Sequence, residues 1–175
     1  LTDAEYTEAA GYSLTAFNSN GFALGLDNAG SGRTNANGDT FIGWQWKAGG
    51  TAVTNTAGSI TSQVSANTTA GFSVVTWTAN GSAATIGHGL GVAPSMVILK
   101  SRSPGGYAWA VWHTSIPITN ILELSGTAAS TNYGTAFWNS TLPTSTVFST
   151  GVNGNTGNGN TLVAYCFAAI AGYSA

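Results

Sequence analysis

Charge is what this chain most lacks. Its 175 residues include four Lys and Arg and six Asp and Glu, for a net charge of −2, whereas about a quarter of an ordinary soluble domain is charged. Four basic side chains cannot neutralise a run of phosphates, so nucleic acid is not an expected partner. A polybasic contact with a membrane surface fails on the same count. No apolar run approaches the roughly 20 residues of a membrane span, and no membrane insertion is expected. The opening Leu1 to Tyr6 has neither the basic nor the apolar region of a signal peptide. Cysteine is almost absent too. Cys166 is alone, so it has no second thiol within the chain and no set for a thiolate zinc site.

Helix signals are equally scarce. Residues 1–12 hold three of the six acids and could form one short helical turn ending at Gly11. What is present instead is glycine, 24 residues of it, with Asn, Ser and Thr between short apolar stretches. Alternation and short apolar blocks predict strands over 22–26, 40–47, 59–65, 71–79, 94–101, 107–113, 120–125, 134–138, 145–150 and 161–170. In 71–79, Phe72, Val74, Thr76 and Thr78 face one way and Ser73, Val75 and Trp77 the other. Large residues on both sides mark a central strand with cover on both faces. Asn80-Gly81, Gly87 to Gly91, Gly105-Gly106 and 151–160 read as turns and loops. The fold class expected is all-β, an antiparallel β-sandwich of jelly-roll or concanavalin-like type. A core of this length is affordable in one domain.

Two stretches share a pattern. Phe22 to Gly25, a polar loop and Thr40-Phe41-Ile42-Gly43-Trp44-Gln45-Trp46 parallel Phe148 to Gly151, a polar loop and Thr161-Leu162-Val163-Ala164-Tyr165-Cys166-Phe167. Residues 1–50 then read as the C-terminal half of a preceding repeat-like unit packed on the main sandwich, and 51–175 as a whole sandwich unit. This implies a segment of a longer repetitive protein, or a permuted or swapped sandwich. The stretch 49–58 reads as the joint, either a linker or an ordered crossing.

The residues that carry a family likeness are Gly71-Phe72-Ser73-Val74-Val75-Thr76-Trp77-Thr78-Ala79-Asn80-Gly81, then Gly87-His88-Gly89-Leu90-Gly91-Val92-Ala93-Pro94 through Lys100-Ser101-Arg102. Trp109 to His113, Trp138 to Thr141, Ala164 to Ala168 and Gly172-Tyr173-Ser174 complete it. The chain resembles the repeated all-β domain of uncharacterised phage virion proteins of cyanophage and marine type, often labelled as tail-fibre proteins. The family often carries an acid shortly before its Gly-Tyr-Ser ending, where this chain has Ala168 to Ala171. The resemblance implies a virion location, assembly with copies of itself and with other virion proteins, and homo-oligomers such as the trimers common in fibres. It implies no established activity.

Candidate ligand-binding residues are His88 in its glycine-rich loop, Trp112 and His113 at the end of one strand, and Asn153, Asn155 and Asn158, with Asn160, in the long loop 151–160. Such a loop could hydrogen-bond a host surface glycan, or its Asn side chains could only satisfy turns. Asp27, Asn28 and Asp39 supply oxygen donors around one loop for calcium, without the D-x-D-x-D-G pattern. No catalytic residue, metal or cofactor is expected. A serine hydrolase needs an acid and a nucleophile elbow that are not evident. A glycosidase needs two converging acids, for which only Asp27, Asp39 and Glu123 offer themselves. Glu123 is more plausibly paired with Lys100 or Arg102. Trp44, Trp46, Tyr165 and Phe167 read as core or interface, and Cys166 as a small buried residue on the opposite face. The expectation is therefore a non-enzymatic virion structural protein. A lectin-like receptor-binding module is the alternative, and a polysaccharide-degrading enzyme the more distant one.

Overall fold

Apolar side chains set between Gly- and Asn-rich turns leave the backbone extended, and the computed structural model is all-β. It describes residues 9–26, 34–124 and 126–172, among which there are twelve strands and no helix. The helical turn expected in 1–12 lies almost wholly outside the described residues. The chain divides into two units, Tyr6–Gln45 and Trp46–Ala175, the second together with Leu1–Glu5.

The smaller unit contains one antiparallel hairpin, β1 (Leu14–Asn18) with β2 (Gly21–Leu24), paired from Asn18–Gly21 outward with a register shift between Leu14 and Ala16. The hairpin base is tied by Gly25 N–H donating to Ser13 O at 2.7 Å and Leu26 N–H to Gly11 O at 2.9 Å. Gly25 has to be glycine, since a Cβ there would meet the Gly11 carbonyl. The expected strand over 40–47 does not form. Gly43 packs directly on the Phe22 ring. No described residue of this unit is buried.

The larger unit is built on an eight-stranded antiparallel sheet. Its strands are β3 (Val53–Asn55), β4 (Ser62–Asn67), β5 (Phe72–Thr78), β7 (Met96–Ser103), β8 (Ala110–His113), β9 (Asn120–Glu123), β10 (Thr131–Asn132) and β12 (Thr161–Phe167). The order is β10-β9-β8-β7-β12-β5-β4-β3, so β12 enters between two runs of consecutive strands. β6 (Ala84–Gly87) and β11 (Val147–Thr150) form a separate two-stranded sheet. The sandwich is thus strongly unequal in its layers. A parallel bridge from Ile60 to Ile86 ties the approach to β4 onto β6. Ser59 and Thr85 reinforce it by exchanging main-chain-to-hydroxyl bonds of 2.8 and 2.9 Å.

Register puts Val75 and Trp77, Leu162 and Ala164, Val97 and Leu99, and Trp112 on one face of the large sheet. There they meet Ile86, Leu90, Trp138 and Phe148 in a single core. Trp77 lies edge-on to Phe148 at 5.6 Å. Burial of each such side chain stabilises by roughly 1.5–3 kcal/mol. Cys166 sits fully buried on this face, as its position opposite Tyr165 and Phe167 predicts.

One further difference from the sequence reading has a local cause. Residues 134–138 turn instead of extending. The Asn132 side chain accepts from Gly134 N–H at 2.8 Å, Gly134 adopts φ +58°, and Ala136 N–H returns to Tyr133 O. The stretch 49–58 is an ordered crossing: β3 forms the sheet edge within it, and Ser65 Oγ donates to Gly50 O at 2.6 Å.

Candidate functional site

The outer face of the large sheet is where its alternation becomes chemistry. Opposite the core, β5 places Phe72, β12 places Tyr165 and Phe167, and β7 places Ile98 beside Tyr165. A row of rings follows. Trp46 stands edge-on to Phe167 at 5.3 Å, and Phe167 lies 5.0 Å from Phe72. Phe72 stacks with Tyr165 at 6.5 Å, and Tyr165 stacks with Trp109 at 6.2 Å. These spacings fall in the favourable range for aromatic pairs. Tyr165, Trp109 and Ile98 remain half-buried. The segment starting at Trp46 covers the β4 end of this face. Asn67 Nδ2 donates to Lys47 O at 3.2 Å, and a Cβ on Gly49 would meet the Ala66 carbonyl. Lys100 belongs to the same face; its buried ammonium donates to Tyr107 O at 2.8 Å.

The sequence-predicted residues do not gather into one place. His88 is buried, with Nδ1 accepting from Leu90 N–H at 3.2 Å. That bond leaves Nε2 as the donor to Thr144 O at 3.1 Å, and the ring is fixed in one neutral tautomer. Burial pushes its pKa below the ordinary 6.5, against the opposing effect of the Thr144 bond. His88 N–H also donates to Thr146 O, so the residue clasps the 144–146 turn to its own loop. Trp112 is buried in the core, and its Nε1–H has no partner. His113 ends β8 on the outer face, opposite Met96, with Nδ1 facing the Ser115 hydroxyl and accepting from Ser115 N–H at 3.1 Å.

The loop 151–160 holds its own shape. Asn153 Nδ2 donates to Ala136 O at 2.6 Å while its Oδ1 accepts from Asn155 N–H at 2.7 Å. Asn160 Nδ2 reaches Gly154 O and Asn155 O at 2.9 and 3.0 Å. Thr156 Oγ1 donates to Gly151 O at 2.8 Å. Asn155 is buried, and of these Asn side chains only Asn158 is exposed. Asn153 and Asn160 thus serve main-chain groups, whereas the buried Asn155 Oδ1 has no hydrogen-bond partner.

Asp27 and Asn28 lie outside the described residues. Asp39 is exposed, with its N–H directed at Ala36 O. Among the described residues no three His, Cys, Asp or Glu side chains cluster as metal ligands. Glu123 is exposed at the end of β9. The Cys166 thiol is pushed up to about 12 by burial, only partly offset by the neighbouring Ser73 hydroxyl, so it carries no thiolate near neutrality. Trp44 and Trp46 are 74% and 53% exposed, so neither is core.

Sequence reasoning found Trp46, Tyr165 and Phe167 as a set but missed Phe72 and Trp109 as their neighbours. The signal was there in part, since Phe72 stands on the outward set of the alternation in 71–79. Trp109 needed the pairing of β7 with both β12 and β8, which sequence alone does not provide.

One family model matches residues 1–175, that of a domain of unknown function, DUF7483. No curated protein and no solved structure matches the chain.

Proposed function

The chain belongs to the DUF7483 family, whose description assigns no chemistry, and from that premise we propose that it is a non-enzymatic structural protein of a phage virion. It serves as a tail-fibre, spike or capsid-surface component and assembles with copies of itself and other virion proteins through β-sandwich surfaces. The observation that carries the reading is the half-buried aromatic row on an almost uncharged sheet face. Uncharged faces with aromatic anchors are the composition of interface centres, where Trp and Tyr dominate and charges are depleted. The commitment of His88, Asn153 and Asn160 to main-chain partners supports the same reading, because it ties up polar groups that a glycan would need. The virion location rests on the family likeness carried by Gly71 to Gly81 and Gly87 to Arg102.

Mass spectrometry and immunogold labelling of purified particles from a phage that encodes this chain test the reading directly. The chain is expected in the particle at many copies. Its absence, or a lone purified protein that cleaves a polysaccharide, would sink the proposal. A glycan-array signal lost in Trp109→Ser would replace assembly with receptor binding as the role of this face.

A further inference from the structure

The smaller unit poses a physical problem. A two-stranded hairpin alone is marginal in water, and among its described residues nothing is buried. Yet Phe17 is 78%, Ile42 81% and Trp44 74% exposed, with Leu14, Leu26 and Phe41 also exposed. At roughly 150–250 Å² for a large ring, these side chains offer several hundred Å² of apolar surface. That is on the order of the ~800 Å² each partner brings to a standard interface. Exposed apolar surface on this scale marks an interaction site.

Three observations point to a second copy of this chain as the occupant. First, Asp39 is the one charged side chain among the described residues of the unit, so the arm suits an apolar ring surface, and Trp109, Tyr165 and Ile98 supply one on a face whose Lys100 ammonium is buried and already bonded to Tyr107 O. Second, Trp46 shows how this segment seats on such a face, edge-on to Phe167 and tilted against Phe72. Ile42 and Trp44 stand at alternate positions before it. Third, Thr40 to Trp46 repeats the pattern of Thr161 to Phe167, which places Trp44 where the chain elsewhere uses Tyr165. The arm therefore carries the residue types that already stack in the row.

We propose that residues 40–45 form an assembly arm whose Ile42 and Trp44 dock on the outer sheet face of a second copy, against Trp109, Tyr165 and Ile98. The inference rests on the assembly reading and gives it a specific contact. Arm and face are different patches, so the contact is head-to-tail. Each added copy leaves one arm and one face unused until a ring closes, and otherwise a filament grows.

Light scattering after size exclusion, at micromolar concentration, tests it with the full chain and two variants. Ile42→Ser with Trp44→Ser removes the arm contact at exposed positions where folding has little to lose, and Trp109→Ser removes the receiving ring. Wild type is expected as an oligomer and each variant alone as a monomer. An equimolar mixture should give a one-to-one pair, because the intact arm of one variant meets the intact face of the other. Circular dichroism and thermal melting check that both variants are folded. If Trp109→Ser is not folded, Ile98→Ser takes its place. A monomeric wild type, an arm variant that stays oligomeric, or a mixture that fails to pair each overturns the inference. If the chain is found in particles while the arm variant assembles unchanged, the arm falls and the assembly reading stands. If the arm variant is monomeric but particles lack the chain, the virion reading falls and the contact stands.

Discussion

At the residue scale, His88 shows how a candidate ligand becomes a clasp. Its two nitrogens join Leu90 and Thr144, and its own N–H reaches Thr146. Protonation would add a hydrogen at Nδ1, where Leu90 N–H already points. The folded chain therefore binds this proton less readily than the unfolded chain. The stabilising contribution is complete above the ordinary value of 6.5 and is lost as pH falls below it. Urea unfolding followed between pH 7.5 and 5 should show stability dropping toward acid. His88→Ala should flatten that part of the profile while costing about 3 kcal/mol at neutral pH, since Leu90 N–H and Thr144 O lose their partner. An unchanged slope in the variant would remove His88 as its source. The glycines around His88 were legible in the sequence as a turn, but the partner was not. Thr144 is 56 positions away, and no local pattern announces so distant a carbonyl.

At the scale of elements, the strands that pack on both sides were the legible ones. β5, β7, β8 and β12 carry large residues at alternate positions, and the faces read for 71–79 and for Cys166 match the register of β5 and β12. β3 and β10 are short, exposed edges with little apolar signal, and β6 has only Ile86 as a large residue. The segment 40–47 has the opposite history: a strand-like pattern that forms no strand, because pattern supplies side-chain alternation but not a hydrogen-bonding neighbour. Tight crossings were also hidden. Gly151, at the end of β11, donates to Phe137 O at 2.8 Å, and a Cβ there would run into the Thr135 and Ala136 carbonyls. Gly151→Ala should cost about 2–4 kcal/mol by displacing that turn. Gly21→Ala, where a Cβ meets nothing within 4 Å, should change stability by under about 0.5 kcal/mol. Thermal melts of the two variants decide whether the crossing is as tight as the geometry says.

At the scale of the whole molecule, ten formal charges on 175 residues set how copies can meet. An association built on rings and aliphatic side chains is not screened by ions, whereas one built on ion pairs weakens beyond a Debye length. The oligomer mass should therefore hold from about 0.1 M to about 1 M sodium chloride and rise with sulfate, which strengthens apolar burial. Dissociation at high salt would show that the few charges matter more than the rings.

The placement of β12 carries a consequence for biosynthesis. A ribosome delivers β3 to β5 and β7 to β10 well before this last strand in chain order, yet β12 is what joins them. Until it emerges, β5 and β7 each present a raw edge, the kind of template on which nascent chains aggregate. Translation that stalls before residue 161 would leave two half-sheets with nothing to zip them, and cells making this protein in quantity would need chaperones to cover that interval.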